Sequence, residues 1–181
     1  VYADALENVT VRRASDGRQV WSRKIGDDIA WRPAVTADTP FVGGDVMRAV
    51  NLKTGKDRWV LEPQGRRGFN TPVIIDGILY ASDYGRGVWA VGPKTGKKIW
   101  LCEDLGGGRY APETFVRVGD HLYGASGPYN DGGIYAMERK TGKVRWLYND
   151  NKSNMEQWNI AAAGKRLLLS HGDEIYGLTA L

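Results

Sequence analysis

The sequence predicts an all-β fold, a β-propeller of four-stranded antiparallel blades, on three observations. A seven-residue unit recurs as Lys53-Thr54-Gly55-Lys56-Asp57-Arg58-Trp59, as Lys94 to Trp100 and as Lys140 to Trp146, with a looser copy at Ser15 to Trp21. Its glycines, Gly17, Gly55, Gly96 and Gly142, lie 38, 41 and 46 residues apart, and a period near ~40 marks a radial or solenoid array. Short apolar runs separated by many of the 24 glycines point to strands and tight turns, and no stretch sustains a helical period.

The unit around Gly77 shows the pattern most clearly. Pro72-Val73-Ile74-Ile75 is a short apolar strand, and Asp76-Gly77 is a hairpin signal because both central residues of such a turn need positive φ. Ile78 to Ser82, Gly87 to Val91 and Lys97 to Leu101 supply three more strands, so strands one to four run as a meander from the inside of the blade outward. The same order is expected over Pro33 to Leu61 and over Thr114 to Tyr148. A small residue stands six positions before each turn glycine (Ala49, Ala90, Ala136), where bulk would clash between stacked sheets.

Five units follow: partial blades over 1–27 and 151–181, and whole blades over 28–63, 64–104 and 105–150. The first lacks its innermost strand and the last its outer one. Strands two and three are therefore present at both ends, which does not suit closure by a shared blade. A five-bladed ring with a loose seam, a four-bladed ring with surplus strands and a segment of a larger ring all remain compatible with the count. An open arc would expose apolar faces that a partner or a second copy must cover.

Composition narrows the function classes. A net charge of +4 with the basic residues dispersed through turns gives no nucleic-acid surface. No apolar run reaches the ~18 residues of a membrane span, and no signal peptide is visible, so any targeting segment lies outside this sequence. Cys102 is the single cysteine, and His121 and His171 are too few for a zinc site. Most acids, Asp38, Asp45, Asp76, Asp83, Asp120, Asp131 and Asp173, read as turn formers. Glu113, at the start of an inner strand, is the exception.

The strand, small residue, Thr-Gly-Lys turn and tryptophan together resemble the pyrroloquinoline-quinone-type propeller repeat, over nearly the whole chain. The resemblance implies that Trp21, Trp59, Trp100 and Trp146 pack between adjacent blades as structural docking residues. It also implies two alternatives: a quinone- and calcium-dependent dehydrogenase, or a branch without cofactor that serves as a scaffold lipoprotein or kinase sensor domain. The missing Cys-Cys pair and the dispersed acids favour the second, with no catalytic residue, metal or cofactor. A fragment of a quinoprotein dehydrogenase and a lectin-like, carbohydrate-binding propeller are the alternatives.

Just before each innermost strand stands an aromatic residue with a polar or small neighbour: Trp31-Arg32, Phe69-Asn70, Tyr110-Ala111 and Trp158-Asn159. These aromatics either plug the inner core between blades or, with Arg32, Asn70, Glu113 and Asn159, ring a funnel that binds a ligand. The resulting expectation is a binding, sensor or scaffold module in an extracytoplasmic bacterial setting. Its face would take a protein, a peptide or a glycan, or a second copy that completes the ring.

Overall fold

The computed structural model describes residues 1–4, 6–25, 32–65, 68–83, 87–103, 105, 112–126, 132–150 and 156–181, with backbone alone at 112 and 146. Among the described residues eighteen strands form five antiparallel sheets, and there is no helix. The first sheet contains β1 (Tyr2–Ala3), β2 (Asn8–Arg12) and β3 (Gln19–Lys24). The second contains β4 (Ala34–Val35), β5 (Pro40–Val42), β6 (Met47–Val50) and β7 (Asp57–Leu61). The third is β8 (Val73–Ile75), β9 (Ile78–Asp83), β10 (Gly87–Val91) and β11 (Lys98–Cys102). The fourth is β12 (Pro112–Val118), β13 (His121–Ser126), β14 (Ile134–Glu138) and β15 (Val144–Tyr148). The fifth has β16 (Asn159–Ala163), β17 (Arg166–His171) and β18 (Glu174–Thr179).

Every sheet is a meander in chain order, the arrangement of a propeller blade. The first strands converge, with β12 touching both β8 and β16, and β4 touching β8. The β8–β9 hairpin turns on Asp76 and Gly77, both in the left-handed region at φ 48° and 75°.

The recurring turn has one local logic. The amide of Gly55 donates to the carbonyl of Asn51 at 2.9 Å and Asn51 N–H to Lys56 at 2.8 Å; Gly96 with Gly92 and Gly142 with Glu138 repeat the pattern. The threonine hydroxyl accepts from the amide two residues on, at 3.4 Å for Thr54, 3.3 Å for Thr95 and 3.2 Å for Thr141. In the looser first copy Asp16 does this, accepting from Arg18 N–H at 3.0 Å. Each glycine has φ near +70°, where a Cβ is strained.

These turns receive the tryptophan of the preceding sheet. Trp21 Nε1 donates to Leu52 O at 2.7 Å, Trp59 Nε1 to Pro93 O at 2.9 Å and Trp100 Nε1 to Arg139 O at 2.8 Å. The acceptor is always the residue three before the turn glycine, and the indole lies flat against that glycine. A Cβ added at Gly55, Gly96 or Gly142 would lie 3.0, 2.8 or 2.5 Å from the ring. The side chain of Trp146 lies outside what the structure describes.

The small position in the third strand has a more local reason than sheet stacking alone. Ala49 pairs with Phe41 on one side and Trp59 on the other, and Ala90 with Tyr80 and Trp100. The rings lean over the alanine and meet, Phe41 to Trp59 and Tyr80 to Trp100 each at 5.8 Å. A larger side chain would separate them.

Between sheets the core is assembled from one forward and one rear face. Phe41, Met47, Ala49 and Trp59 of the second sheet meet Leu79, Ala81, Trp89 and Val91 of the third. Tyr80, Val88, Ala90 and Trp100 then meet Phe115, Leu122, Tyr135 and Met137 of the fourth. Tyr123, Ile134 and Ala136 in turn meet Leu167, Leu169, Tyr176 and Leu178 of the fifth.

Removing Trp100, buried at this seam, is expected to cost about 3–5 kcal/mol in Trp100→Ala, measured by denaturant unfolding. Gly96→Ala meets both the positive φ and the indole, so it should destabilise more than Gly17→Ala. Gly17 has the same φ but nothing within 4 Å of its Cβ position. Equal losses at the two glycines would show that the ring contact contributes nothing.

Candidate binding face

The inner ends of the sheets carry the residues that the sequence marks for a funnel, and the structure divides them. Phe69 and Trp158 are each 1 % exposed, so they do not ring an open mouth. Phe69 N–H donates to Gly44 O at 2.7 Å and Trp158 N–H to Ser126 O at 3.3 Å. Each aromatic is thereby stitched to the preceding sheet while its ring enters the core. The Phe69 ring lies edge-on to Trp89 with centroids 5.7 Å apart. Burying an aromatic ring here is worth more than exposing it at a polar mouth, because its large apolar area is removed from water. Trp31 and Tyr110 lie outside the described residues.

Asn70 is also buried rather than presented at the surface, and neither its Oδ1 nor its Nδ2 has a hydrogen-bond partner. Arg32 and Asn159 are exposed and Glu113 is half-buried. Glu113 and Asn159 are brought together through Gln157, whose Nε2 donates to Glu113 Oε2 at 3.4 Å. The Asn159 amide donates to Gln157 O and to Ser170 Oγ, both at 3.4 Å. These long bonds, on exposed groups where β12 and β16 meet, form a polar patch that can exchange its partners for those of a ligand.

Two buried polar groups have roles that sequence reasoning missed. Asp83, placed in a turn by its sequence neighbours, is instead the fully buried last residue of β9. Its carboxylate accepts from Gln64 N at 2.8 Å, Gly65 N at 3.1 Å and Trp89 Nε1 at 3.2 Å. It therefore holds the connection that leads into the third sheet. His171 ends β17 at the corresponding place in the fifth sheet. Its Nδ1 lies 2.8 Å from Asp150 Oδ2, its ring stacks on Trp158 at 4.2 Å, and its Nε2 has no hydrogen-bond partner. The Tyr176 hydroxyl donates to Asp150 Oδ2 at 2.9 Å and also contacts Glu174. The hydrogen bond to Glu174, then burial and the bond to Asp150, push the Tyr176 phenol well above its ordinary range. The signal that could have located these groups is their shared place at the end of a blade's second strand. Its polar character is lost among the neighbouring turn residues.

Among the described residues no group of three or more histidine, cysteine, aspartate or glutamate side chains is placed to hold a metal ion. Glu113 faces Gln157, Asp83 accepts from two amides and an indole, and among the described residues Asp150 and Glu174 meet only at the Tyr176 hydroxyl, with Asp150 also held by His171. This donor set does not fit the calcium of a quinone site.

Two outcomes test these roles. Asp83→Ala leaves buried N–H donors without an acceptor and should destabilise by about 2–4 kcal/mol in equilibrium unfolding. For Tyr176 the folded-state value is raised, so the unfolded chain loses the phenolic proton first. The contribution is complete below about pH 10 and is lost as pH rises from there through the folded value. Unfolding free energies measured from pH 8 to 11.5 should fall less steeply in Tyr176→Phe than in the parent chain.

A protein-family profile described as outer membrane protein assembly factor BamB matches residues 7–178. A quinohemoprotein alcohol dehydrogenase of Comamonas testosteroni is 29% identical over 178 residues, covering 86% of this chain and 25% of its own length. The outer membrane protein assembly factor BamB of Shewanella oneidensis is 26% identical over 170 residues, covering 86% of this chain and 41% of its own. The chain thus spans well under half the length of these two relatives. Among solved structures, BamB from Moraxella catarrhalis superposes with a TM-score of 0.76 at 21% identity, covering 97% of this chain and 56% of that one. The computationally designed Ika8 protein gives 0.79 at 13% identity, covering 98% and 54%. These structural likenesses concern the fold.

Proposed function

Since the chain belongs to the PQQ-type repeat family of the outer membrane protein assembly factor BamB, we propose that it is a non-catalytic propeller module that binds an extended protein segment. The observation that carries this reading is the partly exposed polar patch of Glu113, Gln157, Asn159 and Ser170 around the start of β16. β16 is an edge strand whose residues, apart from Ile160, are exposed. An edge strand offers backbone N–H and C=O groups to an added strand, and the neighbouring carboxylate and amides supply orientation. The relatives named for outer membrane assembly support an extracytoplasmic setting and a strand-forming segment of an outer membrane protein as the partner. No helix among the described residues is long and apolar enough to cross a membrane. In this reading the five sheets are one propeller domain or an arc of a larger ring.

A second reading, a segment of a quinone-dependent dehydrogenase, is favoured by the identity to the Comamonas enzyme. Synthetic peptides copied from outer membrane β-strands distinguish the two. Binding followed by titration calorimetry should weaken about tenfold in the Glu113→Ala, Asn159→Ala double variant, as loss of a modest polar hot spot does. Added pyrroloquinoline quinone with calcium should give no saturable binding and no reduction of a dye acceptor by an alcohol. Saturable quinone binding with turnover would falsify the scaffold reading.

A further inference from the structure

The meander gathers onto one side charges that are scattered along the chain. In each four-stranded sheet the turn between the first two strands and the turn between the last two lie at the same end. The registers require it, since Leu79 pairs with Val91 and His121 with Glu138. Backbone bonds join the two turns: Leu52 N–H donates to Asp38 O and Arg139 N–H to Asp120 O, each at 3.0 Å. The tryptophan bonds to Leu52, Pro93 and Arg139 then link this end of each sheet to the next. One side of the array is therefore a row of hairpin tips.

Arginines on this side are engaged with its acids. Arg58 meets Asp38 at 2.7 Å, Arg48 meets Asp57 at 3.0 Å, Arg117 and Arg139 meet Asp76 at 3.0 and 2.9 Å, and Arg145 meets Glu138. The turn lysines behave differently. Lys53, Lys56, Lys94, Lys97 and Lys140 are all exposed, and none is in an ion pair among the described residues. The turn does not need their ammonium groups. It uses the threonine hydroxyl, the glycine φ and the backbone amide of the residue after the glycine. Most of the described acids lie at the other end of the sheets, among them Glu7, Glu62, Glu103, Glu113 and Glu156.

We propose that this row of lysine-tipped turns binds the surface of an anionic phospholipid bilayer, with the patch of Glu113 and Asn159 held away from it. The patch and the turns lie at opposite ends of β12, so either surface can act without the other. Two features of the charges select a bilayer. The free cations are lysines, point charges without the planar fork that grips one phosphate or one base edge. They are also spread over successive sheets, which stand about 10 Å apart where they pack face to face. That spacing is close to the Debye length of about 8 Å at physiological salt, so the turns act together over a broad area of headgroups. The indoles that could stack on nucleic-acid bases are instead laid against the turn glycines. Attachment is at the headgroup surface and sensitive to salt.

Co-sedimentation of the chain with phosphatidylcholine vesicles containing about 30% phosphatidylglycerol reads this directly. Binding is expected at about 50 mM salt, is lost at about 500 mM, and is absent with phosphatidylcholine alone. Each surface lysine is worth about fivefold in affinity. The triple variant Lys53→Gln, Lys94→Gln, Lys140→Gln should therefore bind about 100-fold more weakly, with an unchanged melting curve because all three side chains are exposed. Lys24→Gln with Arg32→Glu removes the same amount of charge from the opposite end and should bind within about twofold of the parent chain. Absence of binding to the anionic vesicles overturns the proposal. Equal weakening in the two variants overturns it too, since net charge rather than the turn side would then be responsible. Tighter binding to duplex DNA than to the anionic vesicles at the same salt overturns it in favour of a nucleic acid.

Discussion

The fold depends on one contact, an indole laid flat on a glycine. Among the described residues no backbone ladder joins one sheet to the next, so side chains set most of the spacing and rotation between them. Trp21, Trp59 and Trp100 do so from the fourth strand of each sheet. The hydrogen bond to the carbonyl three residues before the glycine fixes direction, and the ring face fixes distance. A non-polar contact alone would tolerate sliding. The single indole donor removes that freedom, because a buried N–H left without an acceptor is costly.

The inner ends are pinned differently. There Phe69 and Trp158 enter the core from the connection between sheets, and their backbone amides bind the preceding sheet. The seam between the second and third sheets, where both contacts are described, is therefore held by Trp59 at the outer rim and Phe69 near the centre. What remains at the inner surface is polar: Glu113, Gln157, Asn159 and Ser170, exposed or half-buried and hydrogen-bonded where β12 and β16 meet. The same alternation that buries one side of β16 and β17 leaves the other side to solvent.

The buried polar groups belong to this scheme. Asp83 and His171 end the second strands of their sheets, where a connection must turn back and leaves amides or a carboxylate in need of partners. Asp83 satisfies two amides and an indole. His171 is held between Asp150 and the Trp158 ring. Such groups are compatible with the core because each is bonded at the polar atom that would otherwise be most costly. They join the connections to the sheets.

Some of this was legible in the residues. The Thr-Gly-Lys turn, the alternating apolar runs and the Asp76-Gly77 hairpin follow from local rules: a positive φ needs glycine or a tolerant residue, and a hydroxyl can accept from the amide two places on. The seam tryptophans were visible through their fixed offset from those turns. What local rules do not carry is which of two chemically similar neighbours is buried. Phe69 and Trp158 stand beside polar residues and read equally well as a mouth or as a plug, and Asp83 reads as one more turn acid. Burial is decided by a sheet about 40 residues away in the chain, whose distance and rotation exist only once the indole contacts have formed. The sequence by itself determined the repeat, the strands and the turns, because those depend on residues in contact along the chain. The tertiary structure alone decided what faces the core and what faces solvent, because that depends on neighbouring sheets packing against one another.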